Sequence, residues 1–283
     1  MSDIYKNRVY FEEYLPNETY KWIHGDTEKE FNEALTKYPK DPNLLYYIEN
    51  PIEYKLNNYG FRTPDDFNSI DEGNIFLGCS HTFGIGHHLE NTWSYKLNKI
   101  VGGKFWNLGI SGTGVMTHYR LLLGFCKELK IKNIFHFAPK YARYEFILNG
   151  RPENFLIKGY TKEWDKIFGN LLKDSLINED QLDFTYKSYI YAIKGMASEL
   201  GINYYFCDWK PTIEQYHTLD GSLRARDLYH FSVKIQHLIF EEFLKIYDMK
   251  LYDSENIYEN LIKTDNNKIY KNFTDSKINK TLL

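Results

Sequence analysis

GNIFLGCSHTFGIG (residues 73–86) is the stretch on which the reading of this chain turns. Residues 74–78 form an apolar run of strand length, which stops abruptly at Gly78, Cys79 and Ser80. Outward from it the pattern repeats: apolar runs at 105–110, 133–139 and 202–209 are separated by amphipathic stretches at 92–101, 114–131, 183–200 and 231–246. Within 114–131 the apolar positions 115, 116, 119, 122, 123 and 126 follow a helical spacing. Strands alternating with helices call for right-handed crossovers. They predict an α/β domain whose parallel sheet is covered on both faces.

In such a sheet functional groups collect beyond the carboxyl ends of the strands, and Ser80 follows the first strand directly. Gly78 permits the tight approach that the turn needs. Far downstream, RARDLYHFSVKIQHL (224–238) sets Asp227 and His230 three residues apart. A serine hydroxyl becomes a useful nucleophile only when a neighbouring base takes its proton. His230 is the candidate base, and Asp227 the carboxylate that would hold its other nitrogen. Taken singly, each has a plainer role: Ser80 and Asp227 as helix caps, His230 as a surface residue. An ester-cleaving site also needs donors aimed at the oxyanion. The Ser80 amide is one candidate, and NLGISGTG (107–114) supplies Gly112 as another.

These blocks together resemble the SGNH/GDSL hydrolase family. Its Gly-Asp-Ser block appears as Gly78-Cys79-Ser80, followed by HTFGIG and ENTWSYKL. Its second block matches NLGISGTG, and its Asp-x-x-His block matches Asp227 to His230, with His237 on the helix beyond. NNYGFR (57–62) is similar to the lead-in of many members. The resemblance spans about residues 57–246 and implies a flavodoxin-like three-layer sandwich around a central parallel sheet. It implies a Ser80–His230–Asp227 triad, an oxyanion hole at Ser80 and Gly112, and no cofactor. Two departures stand out. Cys79 replaces the aspartate before the nucleophile, and FAPKYARYEF (137–146) lacks the asparagine of the third block. In that loop Tyr141 and Arg143, with His81 near the nucleophile, are candidate substrate-binding residues. Arg143 is a candidate to bind an anionic substrate group or the oxyanion itself, unless it pairs with Glu145 or another surface carboxylate.

The expected organisation is an irregular extension over 1–70, with a short helix near EKEFNEALTKY. A hydrolase-like domain follows over 71–249, with 140–180 as an inserted lid, and then a polar tail over 250–283. The chain of 283 residues is 43% apolar, enough for one substantial core. A net charge of −3 gives no basic footprint, so no nucleic-acid partner is expected. The 25 tyrosines, with abundant Asn, Lys and Ile, read first as the base composition of the gene and only second as a sugar-binding surface. Three scattered cysteines suit a reducing compartment. No signal-peptide pattern and no membrane-length apolar run is visible, so a cytoplasmic location and no membrane partner are expected.

His81, His87, His88 and His118 lack metal-ligand spacing, and no metal is expected. Cys79 should point away from Ser80 as a buried, inert thiol. Tyr144, Phe146, Tyr160 and Trp164 either line an acyl or sugar site or pack a lid. The leading expectation is an esterase acting on a small-molecule or glycan ester such as an O-acetyl group. An acyltransferase with the same triad, and a non-catalytic ligand-binding protein of the same fold, are the alternatives.

Overall fold

The computed structural model describes residues 4–139, 143–156, 179–208, 223–230 and 232–247. In chain order the elements are β1 (Thr19–Tyr20), α1 (Glu28–Lys37), α2 (Pro42–Glu49), β2 (Tyr54–Lys55), β3 (Glu72–Leu77), α3 (Ser80–Phe83), α4 (Trp93–Val101), β4 (Lys104–Asn107), α5 (Val115–Phe125), β5 (Lys130–Ala138), β6 (Arg143–Leu148), β7 (Arg151–Leu156), α6 (Glu179–Glu199), β8 (Asn203–Asp208) and α7 (Val233–Ile246). The central sheet has the order β4-β3-β5-β8, with every pair parallel. Counted along the sheet's own strands this is 2-1-3-4, the flavodoxin-like arrangement. The order reverses at β3, so the chain leaves the carboxyl end of β3 at the switch point where such sheets form clefts.

Side chains alternate across this sheet as the two-residue period requires. Phe76, Phe105, Phe135, Phe137 and Cys207 face one layer, built by Trp93 and Leu97 of α4 and by Ile235, Ile239, Phe240 and Phe243 of α7. Trp93 and Phe243 stack with centroids 4.6 Å apart. Ile75, Leu77, Trp106 and Ile134 face the other layer, with Leu121, Leu122 and Phe125 of α5 and Ile193 and Ala197 of α6. Each buried aromatic contributes about 2–3 kcal/mol of transfer free energy. Both faces are covered, as the sequence predicts. Strand β4 stops at Asn107 and α5 at Phe125, each short of its expected end.

The segment before residue 70, expected as an irregular extension, is instead part of the body. It carries α1 and α2, capped by Thr27 and Asp41. Its Phe11, Ile23, Phe31, Leu44, Tyr47, Ile52, Tyr54, Phe61 and Phe67 belong to the same core as Ile75 and Trp106. Buried Arg120 of α5 ties the chain start down by donating to the carbonyls of Ile4, Tyr5 and Asn7, at 2.6, 3.1 and 3.0 Å. Of the expected lid, 143–156 form an antiparallel hairpin, β6–β7. Residues 179 and 180 of that stretch begin α6, while 140–142, 157–178 and the expected polar tail lie outside the described residues. Among the described residues no helix is long and apolar enough to cross a membrane.

Candidate active site

Strand β3 runs into Gly78 and Cys79, and the chain turns at once into α3 with Ser80 as its first residue. Gly78 is required here, because a Cβ at this position would collide with Thr82 and lie 3.0 Å from the Phe137 carbonyl oxygen. Ser80 is not the helix cap: Cys79 holds that position and its side chain makes no capping bond. Cys79 is fully buried, as expected, but its sulfur does not point away from Ser80, whose hydroxyl donates to it across the tight turn. The Ser80 side chain is only 4% exposed and lies 4.0 Å from the Cys79 sulfur.

Asp227 and His230 form the expected pair. One Asp227 carboxylate oxygen takes the His230 Nδ1. The other accepts the Tyr229 and His230 backbone N–H groups, both at 3.1 Å. Leu228 has φ 60°, which closes this turn tightly enough for the carboxylate to reach both amides and the ring. The capping role open to Asp227 in sequence is taken by Ser232, whose hydroxyl accepts from Ile235 N. The His230 ring stands edge-on to His81, with centroids 5.2 Å apart, so the candidate base sits beside the residue that follows Ser80. Ser80 Oγ makes no hydrogen bond to His230.

Gly112 lies in the loop after β4 with φ 76°. That loop is tied to the Ser80 turn by Ile110 N donating to Gly78 O at 3.2 Å. Asn107 Nδ2 adds a second tie by donating to the Thr82 carbonyl at 2.9 Å. The amides of Ser80 and Gly112 donate to no other group of the described residues. Arg143, at the start of β6, donates through Nη1 to Thr113 O at 2.9 Å. Its sequence-predicted partner Glu145 is taken by Arg120, whose Nε and Nη2 reach the carboxylate at 2.7 and 2.9 Å. Tyr141 lies outside the described residues, as do Tyr160 and Trp164.

Sequence reasoning missed what holds the two loops together. Asp26 is 1% exposed and Arg226, the residue before Asp227, is 2% exposed. Arg226 donates to Asp26 from Nε at 3.1 Å and from Nη2 at 2.6 Å. Its guanidinium lies 3.8 Å from the centroid of the Trp22 ring. The hydroxyl of buried Tyr54 donates to Asp26 and accepts from Gly86 N at 2.9 Å. The Arg226 amide donates to Gly86 O at 2.8 Å. Gly86, with φ 70°, is where the Ser80 loop touches the His230 loop, since a Cβ there would lie 2.9 Å from Ala225 Cβ. Arg62, from the NNYGFR stretch, donates to the carbonyls of Phe83, Gly84 and His87. Burial pushes its pKa down to about 10, so it is still charged at neutral pH.

Beneath the Ser80 turn runs a second buried chain. His118 Nδ1 meets His136 Nε2 at 2.9 Å, and His136 Nδ1 meets the Tyr204 hydroxyl at 2.9 Å. Burial pushes the His136 pKa down to about 3, and burial together with His136 and Arg143 holds His118 well below the usual range. A depressed histidine pKa means the unfolded chain binds more protons, so stability is lost as pH falls below about 6.5 and continues falling toward pH 3. His136 alone should cost about 2 kcal/mol by pH 5 relative to neutrality. Urea unfolding at pH 7 and pH 5 checks this: His136→Gln should show a shallower fall than wild type. Equal falls would remove His136 from the account.

No family model matches the chain, and no curated protein matches it. Among solved structures it is similar to a protein described as lipolytic, of the G-D-S-L family, from Desulfitobacterium hafniense DCB-2. The identity is 17% and the TM-score 0.34, over 62% of this chain and 98% of that one. A G-D-S-L lipolytic family member from Veillonella parvula DSM 2008 gives 14% and 0.34 over the same shares. A carbohydrate esterase family 2 enzyme with a carbohydrate-binding domain, from Corynascus thermopiles (Myceliophthora fergusii), gives 14% and 0.30, over 67% and 70%. The fold assignment stands on the chain's own parallel sheet of order 2-1-3-4, with Ser80 beyond the strand at which that order reverses.

Proposed function

We propose that this chain is a serine ester hydrolase acting on a carboxylic ester, an O-acetyl group on a carbohydrate being one candidate. The observation that carries this reading is the Asp227–His230 pair standing against His81, one residue from a serine at the sheet's switch point. The motif resemblance to SGNH hydrolases supports the same reaction class. In this mechanism Ser80 Oγ attacks the acyl carbon while His230 Nε2 takes its proton. Asp227 keeps the remaining proton on Nδ1 and stabilises the imidazolium. The Ser80 and Gly112 amides hold the oxyanion. His230 then returns its proton to the departing alcohol, and a water molecule, deprotonated by the same nitrogen, releases the acid. His81, beside His230, is assigned to substrate binding, and Tyr141 keeps the substrate-binding role expected from its sequence alone.

One observation favours a second reading, a ligand-binding protein without turnover: the missing Ser80–His230 hydrogen bond. Catalytic hydrogen bonds are commonly long in free enzymes and tighten in the substrate complex. Fluorophosphonate labelling followed by intact mass and peptide mapping separates the two. Stoichiometric modification confined to Ser80 is the expected result. Folded protein that stays unlabelled would sink the esterase reading in favour of the binder.

A further inference from the structure

We infer that Arg143 forms an anion subsite, and that the preferred ester carries a carboxylate or a similar anionic group close to its scissile carbonyl; this rests on the esterase reading. The starting observation is an unneutralised charge. Arg143 is half-buried and has no carboxylate partner among the described residues. The nearest carboxylate in sequence, Glu145, is committed to Arg120 through two hydrogen bonds and also accepts from Thr117 Oγ1 at 2.7 Å. A guanidinium has five donors, and among the described residues Arg143 spends one of them, on Thr113 O. A fork with donors to spare and no counter-ion among the described residues is suited to bidentate recognition of a carboxylate.

Position gives the charge its meaning. The Arg143 backbone is seated on the loop after β4, where a Cβ at Gly114 would lie 2.7 Å from the Arg143 carbonyl oxygen. The same loop holds Gly112 and is bonded to Gly78, two residues before Ser80. The Arg143 charge is also felt at His118, whose ring reaches the Gly78 backbone. The cation therefore stands one loop away from the nucleophile, on the side of the second oxyanion donor. The hairpin that carries it is docked on α5 through Glu145, Thr117 and Arg120, so it is held rather than trailing in solvent.

The anion belongs to either the acyl or the alcohol half of the ester, and three compounds distinguish these: phenyl acetate, monophenyl succinate and 4-acetoxybenzoate. Wild type, Arg143→Gln and Arg143→Lys are compared by kcat/KM at low ionic strength. The expected result is that the preference for one anionic ester over phenyl acetate falls tenfold or more in Arg143→Gln. In Arg143→Lys part of that preference returns, because the charge stays and the fork is lost. The ester affected names the half that carries the anion. An unchanged preference in Arg143→Gln overturns the subsite and leaves Arg143 as a clamp on Thr113. If wild type turns over none of the three, the esterase reading is lost on its own. The subsite is then judged by calorimetric titration of monophenyl succinate and 4-acetoxybenzoate. Affinity tenfold weaker in Arg143→Gln upholds it; equal affinity, or none in wild type, overturns it.

Discussion

Replacing Asp26 with asparagine is expected to destabilise the protein by about 3–5 kcal/mol, the cost of stranding one member of a buried ion pair. Arg226 would keep its charge in a site where it is 2% exposed, with only the Lys21 carbonyl, at 2.6 Å, and one neutral amide oxygen left to accept from it. The damage should spread to the site, because Asp26 also accepts the Tyr54 hydroxyl, and Tyr54 in turn accepts Gly86 N. Two loops almost 140 residues apart thus share one carboxylate. Urea denaturation followed by near-UV circular dichroism measures the loss. Two further variants give the result its meaning. Asp26→Leu combined with Arg226→Met removes both charges and should be clearly more stable than Asp26→Asn, because no buried charge is left unpaired. Tyr54→Phe leaves the ion pair but strands the Gly86 amide, for about 1–3 kcal/mol. An Asp26→Asn protein within roughly 0.5 kcal/mol of wild type, the range of ordinary surface changes, would mean that the pair does not hold the loops.

That network was invisible in the sequence for a physical reason. Strands β3 and β5 and helices α4, α5 and α7 announce themselves because one face of a regular element must be apolar, and periodicity is a local property. Phe11, Ile23, Ile52 and Phe61 are also core residues, but they enter the core singly from turns and short segments. No period of two or 3.6 marks them, so 1–70 reads as irregular. Asp26 and Arg226 meet only because the fold is complete, and nothing at either position distinguishes an ion pair from a solvated charge. The reverse holds for Arg143 and Glu145. Two residues apart on one strand, they invite a local pairing, yet Arg120 from α5 takes the carboxylate. Asp227 and His230 were legible because their partnership is local: a three-residue turn lets one carboxylate serve two amides and a ring.

That double duty makes Asp227→Asn the most informative change in the site. Asparagine is nearly isosteric, and its one carbonyl oxygen can accept the Tyr229 and His230 amides now held by Asp227 Oδ1. The turn around Leu228 should therefore survive, and the unfolding midpoint should stay close to wild type. The amide nitrogen would then face His230 Nδ1 as a donor. The neutral imidazole can answer only by accepting there and carrying its proton on Nε2, the tautomer that cannot take a proton from Ser80. The expected outcome is a kcat lower by about 10³-fold or more, with stability retained. Asp227→Ala should differ in kind: it abandons both backbone amides as well, loosening the turn along with the ring. A purely structural Asp227 makes the opposite forecast. Asparagine would then preserve fluorophosphonate labelling while alanine destroyed it, and that ordering of the two variants would remove Asp227 from the triad and return it to the role of a turn-former.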